Sequence, residues 1–183
     1  PRMLNSGSGR LQLAEALTSE AAPLLARVIV NRIWDVYFGA GLVRTTSDFG
    51  VQGERPTHPE LLEYLSFQLV ARGWDLKWLQ REILMSATWR QSSVWNASAD
   101  AIDPENRFLW RASHRRLDFE MWRDAALAAA GVLDLSMGGP GQSIDDLQSY
   151  RRSLYLVVAR EELQPVLRMH DFPEASSHSP RRE

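Results

Sequence analysis

One stretch, residues 26–59, constrains the possible folds more than any other, because an apolar helical segment runs directly into a glycine-rich loop. From about Ala21 to Phe38, leucine, valine, isoleucine and aromatic residues cover most of the helix circumference. Pro23 falls in the first turn, where proline is tolerated, and Gly39 follows the last turn, where glycine commonly ends a helix. The pattern predicts a long central helix that is buried on most sides.

Polar side chains form one narrow stripe on this helix. Arg27, Asn31 and Asp35 are spaced i, i+4 and i+8, and Arg32 lies at the edge of the stripe. Buried polar groups need partners, so Asn31 and Arg32 have two interpretations. Either they orient a loop carbonyl or an anionic ligand, or they are satisfied internally by a carboxylate. In the second case Asp48 is the natural partner of either residue.

The loop over residues 39–56 is long and contains four glycines. Loops of this length in a compact domain are often functional, or they pack as an ordered Ω-loop. Asp48 and His58 flank its glycine-rich part and form a candidate carboxylate–imidazole pair for general acid–base chemistry. The alternative is structural, because His58 lies in the first turn of the next helix, where a ring often packs or caps.

Helical patterns dominate the rest of the chain. Ser19, Thr57 and Asp75 are expected to cap the helices that follow them, Thr57 in a capping box with Glu60. Residues 92–103 are polar and small, which predicts a surface loop. The predicted helices cover residues 10–18, 21–38, 57–72, 76–87, a segment that begins at 103, 117–130 and 161–170.

A short apolar run at residues 153–158 is partly β-branched and predicts a buried strand. A lone strand cannot satisfy its backbone groups, so its partner is expected at residues 42–46, at 132–137 or beyond residue 183. The predicted fold is therefore mainly α, with about five packed helices and a small β element near 153–158.

The predicted organisation is a flexible lead-in at residues 1–9, a single helical domain at 10–170 and an irregular tail at 171–183. The lead-in is rich in glycine and serine, and the tail has prolines, serines and no periodicity. Both termini are expected to be cuts in a longer polypeptide.

Composition excludes several functional classes. The net charge is −2, so no overall positive field favours nucleic acid. The chain has no cysteine, which excludes thiolate metal sites and covalent haem attachment within it. No apolar run approaches the roughly 18 residues that a membrane span needs. Of the 21 cationic residues only Lys77 is a lysine, which reflects either a GC-rich genome or a use of bidentate contacts.

Further candidate ligand-binding residues lie near the C-terminus. Arg151 and Arg152 precede the predicted strand, and His170 and Asp171 form a histidine–carboxylate cluster. The histidines do not follow a metal-binding spacing such as HExxH, so no metal site is predicted. Arg107, Arg111 and Arg115 would share one face of a helix, which either binds an anion or is a solvated face paired with carboxylates. The tryptophans either stack on sugars or belong to the core.

Five blocks of the chain resemble one protein family. They are ARVIVNRIWDVYFGAGLVRTTSDFG, PTHPELLEYLSFQLVARGWDLKWLQREILMSATWRQSS, DPENRFLWRASHRRLDFEMWRDAALAAAGVLD, RRSLYLVVAR and HDFPEASSHSPRR. The family is the planctomycete-type domain of unknown function catalogued as number 1553, found after cytochrome-c-like domains in large bacterial envelope proteins. The resemblance implies a periplasmic or extracellular location and a c-type haem in a separate upstream domain, with no cofactor in this chain.

Two functional hypotheses follow. The first is a non-catalytic scaffold or interaction module of a larger secreted multi-domain protein, whose partners are other domains of the same polypeptide and possibly carbohydrate. The second is an enzyme domain, hydrolase-like or redox-associated, with a site between the 39–58 loop and the 151–178 region. The absence of a recognisable nucleophile or cofactor motif favours the first.

Overall fold

Seven α-helices form the main regular structure of the part of the chain that the computed structural model describes, which is residues 8–146, 148–159, 163–170 and 172. None of these helices is long and apolar enough to cross a membrane. The prediction of a mainly α fold is confirmed. The helices are α1 (Arg10–Thr18), α2 (Ala22–Phe38), α3 (Pro59–Ala71), α4 (Leu76–Met85), α5 (Ala97–Ile102), α6 (Phe119–Ala129) and α7 (Pro165–Arg168).

The chain divides into two compact units, residues 1–114 and residues 115–183. The first unit holds α1 to α5, and the second holds α6, a short 3-10 turn and α7. Whether residues 10–170 act as one domain stays a prediction.

The core of the first unit lies between α2, α3 and α4 and is closed by the segment after α2. Trp34 and Phe38 stack on each other on α2 with ring centroids 4.2 Å apart, and Trp89 meets the Phe38 ring edge-on. α2 therefore is the central helix that its apolar pattern predicted. The buried core side chains are Val30, Trp34, Phe38, Leu42, Val43, Leu62, Leu65, Leu69, Leu79 and Ile83.

Two of the three predicted helix caps are wrong. α2 begins after Ala21, and the Ser19 hydroxyl instead donates to the Glu15 carbonyl oxygen of the preceding helix at 2.6 Å. α3 begins after His58, and the Thr57 hydroxyl donates to the Leu42 carbonyl oxygen at 3.3 Å. In both cases the hydroxyl donates to a backbone carbonyl outside the helix that it was predicted to cap.

The third predicted cap is confirmed. The Asp75 carboxylate accepts hydrogen bonds of 3.0 Å from the backbone N–H groups of Lys77 and Trp78, at the start of α4. This is the usual arrangement in which a side-chain oxygen satisfies two of the free donors of a first turn.

The helix predicted from residue 103 does not form, whereas the loop predicted at 92–103 contains α5. The Asn96 side chain caps α5 by accepting from the N–H groups of two residues in its first turn. Asp103 is buried, and its carboxylate accepts 2.8 Å hydrogen bonds from the N–H groups of Arg107 and Phe108. Leu109 has a positive φ of 57° and interrupts any helix, so the predicted arginine face is also wrong.

The small β element is reduced to two isolated parallel bridges among the described residues. Asp134 pairs with Arg151, and Gln142 pairs with Leu156. Ser153–Tyr155 forms a 3-10 turn rather than a strand. The Asp124 carboxylate of α6 accepts the Ser153 N–H at 2.7 Å, and the Leu156 N–H turns back to the Ser153 carbonyl at 3.0 Å, so these donors are not available to a strand partner. The partner predicted at 132–137 does supply the first bridge.

Candidate functional site

Asn31 fastens the loop to the central helix. Its side chain is fully buried on α2 and forms two hydrogen bonds with a single loop residue. The amide nitrogen donates to the Val43 carbonyl oxygen at 2.9 Å, and the amide oxygen accepts the Val43 N–H at 2.8 Å. Of the two interpretations of Asn31, the one with a loop carbonyl as partner is therefore confirmed, and Asp48 is not its partner.

Arg32 and Asp48 lie on the surface of the first unit. Arg32 is exposed on α2. Asp48 is exposed in the loop, where its carboxylate accepts the Gly50 N–H at 2.8 Å and its carbonyl oxygen accepts the Thr45 hydroxyl at 2.9 Å. These contacts are those of a turn in which an aspartate side chain substitutes for a backbone acceptor.

His58 is half-buried at the residue that precedes α3. Its Nδ1 lies 2.9 Å from the Thr57 hydroxyl, and its ring meets the Phe108 ring edge-on with centroids 6.1 Å apart. Both contacts are with neighbouring side chains of the first unit. They fit the structural interpretation of His58, and the predicted acid–base pairing of His58 with Asp48 stays untested.

An open cleft of about 350 Å3 lies beside the glycine-rich loop. Its walls combine apolar side chains with charged ones, and one of its charged pairs is the salt bridge between Arg27 of α2 and Glu63 of α3. The cleft is lined by Arg27, Val43, Phe49, Gly50, Val51, Gly53, Glu54, Arg55, Pro56, Pro59, Leu62 and Glu63.

Ion pairs hold the loop against the segment after α5. Arg44 lies 3.2 Å from the Glu105 carboxylate, and Arg107 lies 3.4 Å from the Glu54 carboxylate. Arg44 also donates to the Glu105 carbonyl oxygen at 3.3 Å. Partly exposed pairs of this kind contribute little stability one by one. Together they restrict the movement of the loop at Glu54, which lines the cleft.

Arg151 and Arg152 surround Tyr155 in the second unit. The Arg151 guanidinium lies 3.9 Å from the Tyr155 ring centroid and donates to the carbonyl oxygens of Gly138 and Pro140. The Arg152 guanidinium lies 5.8 Å from the same centroid. Arg151 therefore joins the glycine-rich loop at 138–141 to the tyrosine ring.

The Tyr155 hydroxyl has a lowered pKa in this cluster. Its oxygen accepts the Gly138 N–H at 2.8 Å, and this hydrogen bond, followed by the contributions of Arg152 and Arg151, lowers the pKa of the phenol below its usual 10.0. Desolvation opposes the shift in part. Hydrogen bonds from the Ser136 N–H and hydroxyl likewise lower the pKa of the nearby Asp134 carboxyl.

We expect Tyr155 to lose its proton at a lower pH than a free tyrosine. Because the folded pKa lies below the unfolded one, its contribution to stability grows as pH rises through the folded pKa and is complete above the unfolded value near 10.0. A tyrosinate absorbance titration should show an early component that Tyr155→Phe removes and Arg152→Gln shifts upward. Tyr150→Phe is the control and should leave that component in place; an early component that survives Tyr155→Phe contradicts the assignment.

His170 packs within the second unit. Its Nδ1 lies 2.8 Å from the Val166 carbonyl oxygen, and its ring lies 5.0 Å from the Phe119 ring and 6.1 Å from the Trp122 ring, between centroids. The neighbouring Asp171 lies outside the described residues. The described contacts of His170 are aromatic and backbone ones.

Two residues with central roles are not among the candidates that the sequence indicates. Arg123 of α6 donates to the backbone oxygens of Ser149 and Arg151 and to the Ser153 hydroxyl. Tyr155 belongs to the apolar run at 153–158 that predicts a strand. The sequence feature that could have indicated a role for Tyr155 is its position three residues after the Arg151–Arg152 pair.

The family comparison agrees with the resemblance seen in the sequence. A family model described as "PSD1: Protein of unknown function (DUF1553)" matches residues 9–183. No curated protein and no solved structure matches the chain. The planctomycete and cytochrome context stays a prediction. Since the family model covers nearly the whole length, the chain belongs to the PSD1 family of proteins of unknown function, DUF1553.

Proposed function

We propose that this chain is a non-catalytic interaction module of a larger secreted multi-domain protein, and that its first unit binds a saccharide in the cleft beside the 39–56 loop. The carrying observation is the cleft itself, about 350 Å3 in volume and lined by apolar and charged side chains together. Its volume falls in the usual range of small-ligand sites, roughly 300–1,000 Å3. The periplasmic or extracellular location and the upstream c-type haem domain come from the family resemblance alone.

The chemistry of the cleft suits a sugar ring. Phe49 offers an aromatic face, on which the C–H groups of a pyranose can pack. Arg55 and Glu54 offer planar groups that donate to and accept from neighbouring hydroxyls in pairs. Arg27 and Glu63 already bind each other, so a ligand has to compete with that salt bridge or bind beside it.

The non-catalytic part of the proposal rests on how the described candidate residues are used. Asn31 forms both of its hydrogen bonds with Val43, Asp48 closes a turn, and His170 lies against a backbone carbonyl. A catalytic acid or base needs a free edge directed at a substrate. Each of these side chains has polar atoms engaged by the protein backbone, which supports a structural role.

We expect a neutral monosaccharide or disaccharide to bind the chain weakly, with a dissociation constant on the order of 1 mM. Isothermal titration calorimetry measures the affinity, and Phe49→Ala is expected to reduce it about tenfold by removing the aromatic wall. The matched control is Phe108→Ala, an exposed phenylalanine that does not line the cleft. Equal loss in both variants, or no binding of any sugar, contradicts the proposal.

The enzyme alternative is favoured by one observation, the Tyr155 hydroxyl, which accepts the Gly138 N–H at 2.8 Å beside the guanidinium groups of Arg151 and Arg152. These contacts lower the pKa of the phenol, so a larger fraction of it is present at a given pH as the phenolate, the form that can accept a proton. Turnover of a carbohydrate or ester substrate that disappears in Tyr155→Phe, with the fold retained, would support this alternative and oppose the non-catalytic one.

A further inference from the structure

The cleft beside the 39–56 loop contains one charged side chain that has no partner among the described residues. Four charged residues line this cleft, and three of them take part in ion pairs. The fourth is Arg55. We infer that the cleft selects an acidic saccharide of the uronic acid class, whose carboxylate pairs with the Arg55 guanidinium. The inference rests on the saccharide site proposed above and names the class of sugar that this site prefers.

Both carboxylates of the cleft wall are already engaged by arginine. Glu63 pairs with Arg27, and Glu54 lies 3.4 Å from Arg107. The Arg55 side chain, in contrast, forms no hydrogen bond, ion pair or ring contact with the part of the chain that the structure describes. The charged lining residues and their partners thus comprise three guanidinium groups and two carboxylates. A ligand with one negative charge neutralises this excess, whereas a neutral sugar leaves it in place.

Two further acids lie on or beside the loop, and neither supplies the missing charge. Asp48 belongs to the loop, but its carboxylate accepts the Gly50 N–H and does not line the cleft. Glu105 lies 3.9 Å from Arg107 and closer, at 3.2 Å, to Arg44. Counting this last pair adds one charge of each sign, so the excess of one positive charge remains.

The backbone on both sides of Arg55 is held in place. The Glu54 N–H donates to the Thr45 hydroxyl at 3.0 Å, and the Thr57 N–H donates to the Leu42 carbonyl oxygen at 2.9 Å. The residue that follows Arg55 is a proline, which restricts Arg55 itself to extended conformations. The base of this side chain is therefore positioned before a ligand arrives, and little binding free energy is lost in ordering the segment.

The groups around Arg55 suit the rest of a uronic acid. A guanidinium binds a carboxylate through two parallel N–H···O bonds, which a hydroxymethyl group cannot accept. Arg27 contacts Glu63 through one terminal nitrogen, and its other side-chain N–H groups donate to no acceptor among the described residues. These N–H groups can serve ring hydroxyls, while the Phe49 ring packs against the C–H groups of the sugar.

Isothermal titration calorimetry with glucose and glucuronate tests the inference, because the two sugars differ only at C6, in a hydroxymethyl group or a carboxylate. We expect glucuronate to bind about fivefold more tightly in about 0.1 M sodium chloride, the size of effect that one partly exposed charge pair gives. In about 1 M salt the Debye length falls from about 10 Å to about 3 Å, so the preference should drop below about twofold. Acetate has the carboxylate without the ring and should bind at least about tenfold more weakly than glucuronate.

Four variants locate the preference within the cleft. Arg55→Gln should abolish the preference for glucuronate and leave glucose binding within about twofold, and Arg55→Glu should reverse the preference, because like charges then meet. Arg32→Gln is the matched control, an exposed arginine of α2 that does not line the cleft. Phe49→Ala should weaken both sugars by the same factor, since the ring contacts parts that they share. The thermal transition of each variant shows whether it is folded.

The possible results separate this inference from the saccharide site itself. Equal binding of glucose and glucuronate by the wild-type chain overturns the acidic class and leaves the saccharide site standing. A preference that survives Arg55→Gln, or that Arg32→Gln removes equally, overturns the role of Arg55. Acetate that binds as tightly as glucuronate reveals an anion site rather than a sugar site and refutes the inference. If neither sugar binds, the proposed saccharide site fails and this inference fails with it.

Discussion

Asn31→Leu is expected to lower the free energy of unfolding by about 3–5 kcal/mol. Leucine fills a similar volume but can neither donate to the Val43 carbonyl nor accept its N–H. Val43 is buried, so water cannot replace the lost partner. Each buried backbone group left without a hydrogen bond costs roughly 1–3 kcal/mol, and two such groups are created here. This cost is a large share of the total stability of a typical domain, about 5–15 kcal/mol.

Urea unfolding, followed by far-ultraviolet circular dichroism, measures this loss as a lower midpoint with an unchanged slope. Arg32→Leu is the matched control, because it places the same side chain on the same helix at an exposed position. We expect it to change stability by less than about 0.5 kcal/mol. If the two variants unfold at the same urea concentration, the amide of Asn31 does not hold the loop.

The sequence predicted that Asn31 requires a partner and left a loop carbonyl and a carboxylate such as Asp48 as alternatives; the structure shows the loop carbonyl of Val43, which the sequence could not single out. A carboxylate such as Asp48 is visible in a sequence, whereas every loop residue carries the same N–H and C=O groups. Which of them meets the amide depends on the path of the loop after Gly39. That path is set by tertiary packing of Leu42 and Val43 in the core, and local patterns do not encode it.

The segment after Asp103 shows that local sequence patterns also fail to predict secondary structure where tertiary contacts decide it. Aspartate followed by proline and glutamate is a typical helix start, and that pattern predicted a helix. Asp103 is instead buried, and its carboxylate accepts the N–H groups of Arg107 and Phe108. In a helix these N–H groups would donate to backbone carbonyls four residues earlier. A tertiary environment overrode a local preference.

The second unit was predicted least well. Its apolar run at 153–158 has the composition of a strand, yet no neighbouring strand is long enough among the described residues to complete a ladder. The segment is held by side chains instead, chiefly Arg123 and Asp124 of α6. Contacts of this kind depend on residues about 30 positions apart, and a periodicity argument does not detect them.

Gly41→Ala is expected to lower the free energy of unfolding by about 2–4 kcal/mol, the second largest effect of a single substitution proposed for this chain. A Cβ at this position would lie 2.6 Å from the Asn31 amide nitrogen and 2.6 Å from the Val43 carbonyl oxygen. Neither atom can retreat without breaking the hydrogen bonds between them. Thermal unfolding measures the loss, and Gly50→Ala is the control, because its Cβ meets only the movable Asp48 carboxylate at 3.1 Å.

The cause of the Gly41 effect can be separated by a double-mutant cycle. In Asn31→Ala the amide is gone, so the added methyl group of Gly41→Ala has lost one of the two atoms that lie 2.6 Å from it. We therefore expect the double variant to lose at least about 1 kcal/mol less than the sum of the two single losses. Strict additivity would mean that the cost of the added methyl group does not involve the Asn31 side chain. A non-additive result shows that Gly41 and Asn31 act together in allowing the loop to approach the central helix closely.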